Sequence, residues 1–494
     1  MTYRKTWFSY VLWVLYAGLC VMMLTFASRW FMLYTGTSSF VPVFVVSIFL
    51  VFPVLMGIYI LLRVVSCKIR TKYNIQTHTL AMFEAFVVAS CFVFGTLYRL
   101  RAALVSTLDY SFQESLETEY FEMAIVRAGE MITPMTHGIG YLYVACLSAV
   151  MSFLGNKILS AMFLQAVLQI ISLVLGYLVI RKSAGRLPAC VALIYLAFSS
   201  AYVSRIGVID PECFYFLFYL LGMYLIVSVV KNYCRNDYVK SFAVWVFMLL
   251  GIVLGLLIYL DIRSVTLLFF LTGIFTGKKE EDEELPPIHV GQNILVFGVA
   301  EIFCVLTFFA AFLVDALCYG TEYMAELSAW GNFYLSKSWG GILACMEQFM
   351  KDFPVNILLI MAASFLVFEF QRSGKEQNYT LWILLCVCTA PTPMTGYGVL
   401  PYGTISLFIW CVLAGLGLQN CIMGGSARVV QAKIEEINAA AQAQIEETEK
   451  PRFIENPLPL PKKHVRREMD YEYPVAQEDM KFDIEVDETD DFDI

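Results

Sequence analysis

A chain of 494 residues has the length for three soluble domains, but its composition excludes that class. Apolar residues make up 59% and charged residues 15%, whereas soluble domains run at about 45–50% and about 25%. The formal charge of -8 misleads: from Glu468 to Ile494 there are twelve acids and one base, Lys481. The acidity belongs to the end of the chain, the remainder is slightly basic, and nothing in the balance calls for a nucleic-acid partner.

The excess of apolar residues falls into runs that are nearly free of charge and long enough to cross a bilayer as helix. The first follows Met-Thr-Tyr-Arg-Lys and runs from Trp7 to about Ala27, too long for a cleaved signal segment, so a retained span is predicted. Apolar runs at 7–28, 42–66, 80–104, 158–180, 187–205, 212–230, 240–260, 263–277, 292–316, 354–370, 379–395 and 402–420 predict about twelve transmembrane helices. The fold class expected is an all-α polytopic membrane protein.

One more apolar stretch, Gly138 to Leu154, is borderline, and the distribution of Lys and Arg decides it. With Arg4 and Lys5 in the cytoplasm and 138–154 not crossing, the clusters at Lys68–Lys72, Arg181–Arg186, Lys231–Lys240, Lys278–Lys279 and Arg372–Lys375 all fall inside. If it crosses, nearly all of those after it fall outside. The stretch is therefore predicted as a helix lying along or dipping into the outer face. Two external loops follow, 105–157, rich in carboxylates, and 317–353, with Trp330, Tyr334, Lys337 and Trp339. Both termini are then cytoplasmic and the localisation is the cell membrane. The segments expected are a two-span region (1–78), a main transmembrane domain (79–423) and a cytoplasmic tail (424–494).

Most of the fourteen cysteines, such as Cys20, Cys91, Cys146, Cys190, Cys304, Cys386 and Cys411, sit inside apolar runs and read as buried thiols. Only Cys318 and Cys345, in one loop, are placed to bridge. There is no C-x-x-C pair and the four histidines are scattered, so no metal site is predicted. The tail holds a polar helical stretch (427–447), a Pro-rich segment and a basic knot at Lys462, Lys463, Arg466 and Arg467 before its acidic end. It reads as mostly disordered, or as a docking strip for a cytoplasmic partner with the basic knot on anionic lipid.

Loop 105–157 is where chemistry is expected. Residues Glu117 to Arg127 are predicted helical, which puts Glu117 and Tyr120 on one face with Ala124 a turn beyond. A carboxylate at the outer surface has the chemistry of a general base for an acceptor hydroxyl. Asp109 and Glu119 compete with Glu117 for that role, and the acids also read as a wet helix face.

Several short motifs follow in order. They are Glu117-Thr118-Glu119-Tyr120 with Ala124 and Gly129, Thr133-Pro134-Met135-Thr136-His137, Tyr141-Leu142-Tyr143, Phe153-Leu154-Gly155, and a span closing on Arg181-Lys182 with Gly185-Arg186. Beyond them lie Arg205-Ile206-Gly207-Val208-Ile209-Asp210-Pro211-Glu212, a glycine-containing span from Gly251 to the polar turn Asp261-Ile262-Arg263, and Tyr397–Tyr402. This order, over roughly residues 80–420, resembles the GT-C class of polytopic glycosyltransferases. The likeness is to the branch similar to protein mannosyltransferases and the aminoarabinose transferase (glycosyltransferase family 39). Two departures stand out: the loop acid of that class is usually Asp, and it usually has one span before the loop where this chain has more.

The resemblance implies an inverting transfer from a polyprenyl-phosphate sugar donor to a cell-envelope acceptor at the outer leaflet. It implies no cofactor and no catalytic metal, the lipid-linked sugar being substrate. Glu117 would be the base, near Tyr120. Arg205 or Arg263 would neutralise the departing phosphate, or else snorkel at a helix end. His137 would orient the donor phosphate or assist the base, or else be structural. Asp210 and Glu212 would pair with Arg205 or bind an acceptor, or else be merely hydrated. The partners expected are membrane lipid, the donor and the acceptor. A transporter or flippase of lipid-linked precursors, for which Glu84, Glu301 and Glu369 would matter, and a non-catalytic assembly scaffold working through its tail are the alternatives.

Overall fold

The computed structural model describes residues 3–4, 7–35, 52–73, 77–108, 115–129, 139–234, 240–275, 290–319, 355–370, 375–376, 379–389 and 404–423, with a few isolated positions between them. These belong to one unit, Met1–Met423, and are helical apart from one two-residue strand pair. The tail (424–494), His137, Asp109, Cys345 and the aromatics at 330–339 lie outside the described residues, and of Glu369 only the helical backbone is described.

Apart from 187–205, each predicted apolar run falls on helical backbone over its described part. In chain order these are α1 (Trp7–Thr35), α2 (Phe52–Tyr73), α3 (Thr77–Leu108), α4 (Ser115–Gly129), α5 (Ile139–Leu154), α6 (Ile158–Ser183) and α7 (Arg186–Phe198). After a break come α8 (Glu212–Cys234), α9 (Lys240–Leu260), α10 (Thr266–Phe275), α11 (Val290–Tyr319), α12 (Val355–Phe370), α13 (Tyr379–Thr389) and α14 (Thr404–Met423). Among the described residues six helices are long and apolar enough to cross a membrane: Ala81–Leu108, Ile158–Ser183, Glu212–Val230, Phe242–Leu260, Leu295–Cys318 and Thr404–Ile422.

Burial separates the helices that face lipid from those inside. On α3, Phe83, Phe86, Phe94 and Leu97 are exposed, and on α11 so are Ile302, Leu306 and Leu313. Apolar surface on that scale has no place in water, so the molecule is a multi-pass helical membrane protein. α14 is the inner helix, with Ile405, Phe408, Ile409 and Leu413 buried, and it packs against α7, α12, α13 and α2. Packing between helices in lipid depends on close backbone approach rather than on expelling water. Gly251 and Gly255 of α9 let it press on α11, where any side chain would run into the Ala300 and Cys304 carbonyls. Cys318 is exposed and has no disulfide partner among the described residues.

Two glycines make the tight corners that fold α5, α6 and α7 together. Gly155 (φ 90°) and Gly185 (φ 98°) hold backbone conformations that a Cβ would strain. Gly155 N donates to Met151 O at 2.8 Å, and Gly185 N to Ile180 O at 3.1 Å. The 16 residues of α5 reach about 24 Å, short of the about 30 Å of hydrocarbon. It buries Ile139, Tyr143, Leu147 and Met151 and exposes Phe153 and Leu154. It packs against α4 and α6.

The run at 187–205, expected as one span, is interrupted. α7 stops at Phe198, one turn covers Ser200–Val203, and a 3-10 turn covers Ser204–Gly207. Ser199 causes the break by capping: its hydroxyl accepts from Tyr202 N at 3.3 Å. Elsewhere Tyr3–Arg4 pairs antiparallel with Lys375–Glu376, which puts two segments read as sharing one membrane face side by side.

Candidate functional site

The break after α7 and the turn before α10 carry a buried ionic cluster. Asp210-Pro211-Glu212 is a helix-start sequence, with a side-chain cap, a proline needing no donor partner and an acid in the first turn. Asp210 Oδ1 accepts from Glu212 N at 3.1 Å and so caps α8. Its Oδ2 takes Arg205 Nη1 at 2.8 Å. The second turn repeats the device. Asp261 Oδ1 accepts from Arg263 N at 2.9 Å, capping the 3-10 turn Ile262–Val265, while Oδ2 takes Arg263 Nη2 at 2.8 Å.

Arg263 joins the two turns. Its Nη1 reaches Glu212 Oε2 at 2.9 Å, and its guanidinium lies 4.0 Å from the Tyr215 ring centre. The other oxygen of Glu212 accepts from Thr404 N (3.3 Å) and Thr404 Oγ1 (3.2 Å). It thereby satisfies a first-turn N–H of α14 that has no partner within its helix. Five ionisable side chains, Arg205, Asp210, Glu212, Asp261 and Arg263, are each at most 4% exposed. Burial pushes the Asp261 carboxyl above the ordinary aspartate value even though Arg263 pulls it down.

Charges taken this far out of water persist only when paired and hydrogen-bonded, and here every carboxylate has a cation beside it. The two arginines differ in what they can still do. Nε, Nη1 and Nη2 of Arg263 are all engaged by Asp261 and Glu212. Arg205 holds Asp210 through Nη1 only, and its Nε is buried without a hydrogen-bond partner among the described residues. Neither is a snorkelling helix-end cation, and of the five N–H donors on each guanidinium Arg205 commits fewer to acids than Arg263 does, so it has the greater donor capacity left for a phosphate oxygen.

The remaining predicted residues divide. Glu117 lies in α4, but its side chain is outside the described residues; Glu119 on the same helix is exposed. Tyr120 is buried at 5% exposure and meets Tyr143 of α5 edge to face, ring centres 5.9 Å apart. Tyr143 OH accepts from Gln165 Nε2 at 3.0 Å, and the same amide nitrogen lies 3.2 Å from Val208 O and 2.7 Å from Asp210 O. One turn along α6, Gln169 Nε2 donates to Tyr202 O at 2.7 Å.

Three residues that the sequence reading does not single out thus build the site. Gln165 and Gln169 carry a legible signal, two amides four residues apart on one face of an otherwise apolar helix. Arg99 carries none beyond its charge. It is wholly buried and donates to Leu196 O (2.8 Å), Ala197 O (3.0 Å) and Gly95 O (3.0 Å). A cation on the last carbonyls of α7 suits the negative end of that helix and holds the start of the Arg205 turn. Among the described residues no group of His, Cys, Asp and Glu forms a set that could hold a metal ion.

No protein-family model matches the chain, and no curated protein sequence matches it. Solved structures similar to it include the archaeal oligosaccharyltransferase AglB from Archaeoglobus fulgidus in complex with an inhibitory peptide and a dolichol-phosphate. That likeness has 10% identity and a TM-score of 0.39, over 72% of this chain and 51% of that one. A second is the oligosaccharyltransferase of Archaeoglobus fulgidus in complex with zinc and sulfate, at 11% identity and a TM-score of 0.30, over 69% and 51%. The chain spans about half the length of either structure.

Proposed function

We propose that this protein is a GT-C-type membrane glycosyltransferase. It moves a sugar from a polyprenyl-phosphate donor to a cell-envelope acceptor at the outer face of a membrane it crosses about twelve times. The observation that supports this most is the position of its buried charge. Arg205, Asp210, Glu212, Asp261 and Arg263 are held in turns between apolar helices, at span ends where a lipid-borne phosphate would arrive. A fixed cationic site in a medium of low dielectric acts on developing charge without having to reorganise.

In this reading a carboxylate of the 105–157 loop, Glu117 first and Asp109 or Glu119 otherwise, takes the proton from the acceptor hydroxyl. Arg205 meets the leaving phosphate. Arg263, bound through all three nitrogens to Asp261 and Glu212, holds those acids rather than substrate. Tyr120 stands near the base, His137 orients the donor phosphate or assists the base, and Asp210 orients Arg205. A transporter would place unneutralised ionisable groups at mid-span depth. Glu84, a within-span acid that reading would need, is instead bound by Arg181 at 2.7 Å and Tyr177 OH at 2.6 Å. The scaffold alternative rests on 424–494, outside the described residues.

The test is transfer of a labelled sugar from a synthetic polyprenyl-phosphate donor by purified protein in lipid nanodiscs. Glu117→Gln is expected to lower turnover by about 10²–10⁴-fold at normal membrane levels, the usual worth of a general base. Undiminished product excludes Glu117, and undiminished product in Asp109→Asn and Glu119→Gln as well excludes a loop base. No product from the native protein with any lipid-phosphate sugar tried removes the transferase reading.

A further inference from the structure

The acid-bearing helix α4 and the Arg205 turn lie on different elements, and among the described residues no backbone hydrogen bond joins them. Gln165 and Tyr143 do. We propose that Gln165 is a positioning residue: through Tyr143 it sets where the α4–α5 pair stands relative to the Arg205–Asp210 turn.

The geometry leaves the amide little freedom. Gln165 is 0% exposed. The groups facing its nitrogen at 3.2 and 2.7 Å are the Val208 and Asp210 carbonyls, which only accept, so the NH2 end must point at the turn. With two N–H groups for three acceptors, one proton is shared with Tyr143 OH. Tyr143, also 0% exposed, carries Tyr120 edge to face on its ring, and α4 packs mainly against α5. On the other side, Asp210 is the residue whose carboxylate holds Arg205 and caps α8. The chain of contact is Tyr120, Tyr143, Gln165, Asp210, Arg205. Gln169 grips the preceding turn at Tyr202 O and makes no hydrogen bond to α5 among the described residues, which makes it an internal control.

For its catalytic consequence the inference rests on the transfer reading above; the mechanical link does not. Hydrogen–deuterium exchange of the whole protein in nanodiscs tests the link without substrate. Gln165→Leu keeps the volume and removes the amide; Tyr143→Phe keeps the ring and removes the acceptor hydroxyl. Each is expected to speed exchange in peptides covering 115–129 and 139–154 by about tenfold, the worth of one or two buried hydrogen bonds. Gln169→Leu should leave those peptides as in the native protein. Unchanged exchange in Gln165→Leu, or, where that variant does not fold, in Tyr143→Phe, overturns the proposal, and so does equal loosening by Gln169→Leu.

Given an assayable transfer reaction, Gln165→Leu should lower kcat by about 100-fold while KM for the donor stays within about twofold, as a displaced base would. A rise in KM with kcat intact would instead assign Gln165 to donor binding and overturn the positioning role. If Glu117→Gln leaves the product unchanged, the transfer reading fails while the exchange result still decides the link.

Discussion

Two charged clusters sit toward opposite ends of α6, and they are built differently. Gln165 lies near the first, around Arg205 and Arg263, and Arg181 lies in the second, around Glu84, about 24 Å further along the helix at 1.5 Å per residue. In the first cluster the Arg263, Glu212 and Asp261 side chains are 4%, 2% and 0% exposed. In the second, Arg181 and Arg186 are 28% and 24% exposed around a Glu84 that is 12% exposed. The difference is between charges that must keep one geometry and charges that have water as an alternative partner. Only the first kind is preorganised. The second is what a helix end needs to stay at an interface, and Lys182 adds to it with a bond to Ser228 Oγ at 2.8 Å.

The largest effect should come from breaking the buried cluster. Arg263→Gln leaves Asp261 and Glu212 without their shared cation, and a loss of about 3–5 kcal/mol is expected, measured as a lowered unfolding midpoint of the solubilised protein. Glu84→Gln should fall between the extremes, at about 1–3 kcal/mol, because it removes charge-assisted bonds from partners that are partly wet. Arg181→Gln should be smallest, under about 1 kcal/mol. If the three variants unfold together, the distinction between the clusters is wrong. If raised salt weakens the Arg181 contribution and leaves the Arg263 one alone, it is sharpened, since screening reaches exposed pairs first.

Much of this protein could be read from residues alone. Long charge-poor runs left no alternative to helices in a membrane, and the span expected from 212 starts where α8 does, at Glu212. Charge counting reads 138–154 as lying along the outer face, and the residues there form a 16-residue helix. The reading of 187–205 as continuous was less successful. Its hydropathy carries through Ser199, and the stop depends on a hydroxyl cap and on Arg99 reaching across from α3.

What composition and local pattern determined is the class of molecule, the location of its helices and the residue types available at their ends. These follow from solvation and from backbone hydrogen bonding, which act over a few residues at a time. Which charge meets which was decided only by the folded chain. Arg263 finds Glu212 across 51 positions and Thr404 finds it across 192, distances over which a linear pattern carries no pairing information. Burial then makes those meetings obligatory, because a carboxylate removed from water must have a donor, and only the packed helices say which one.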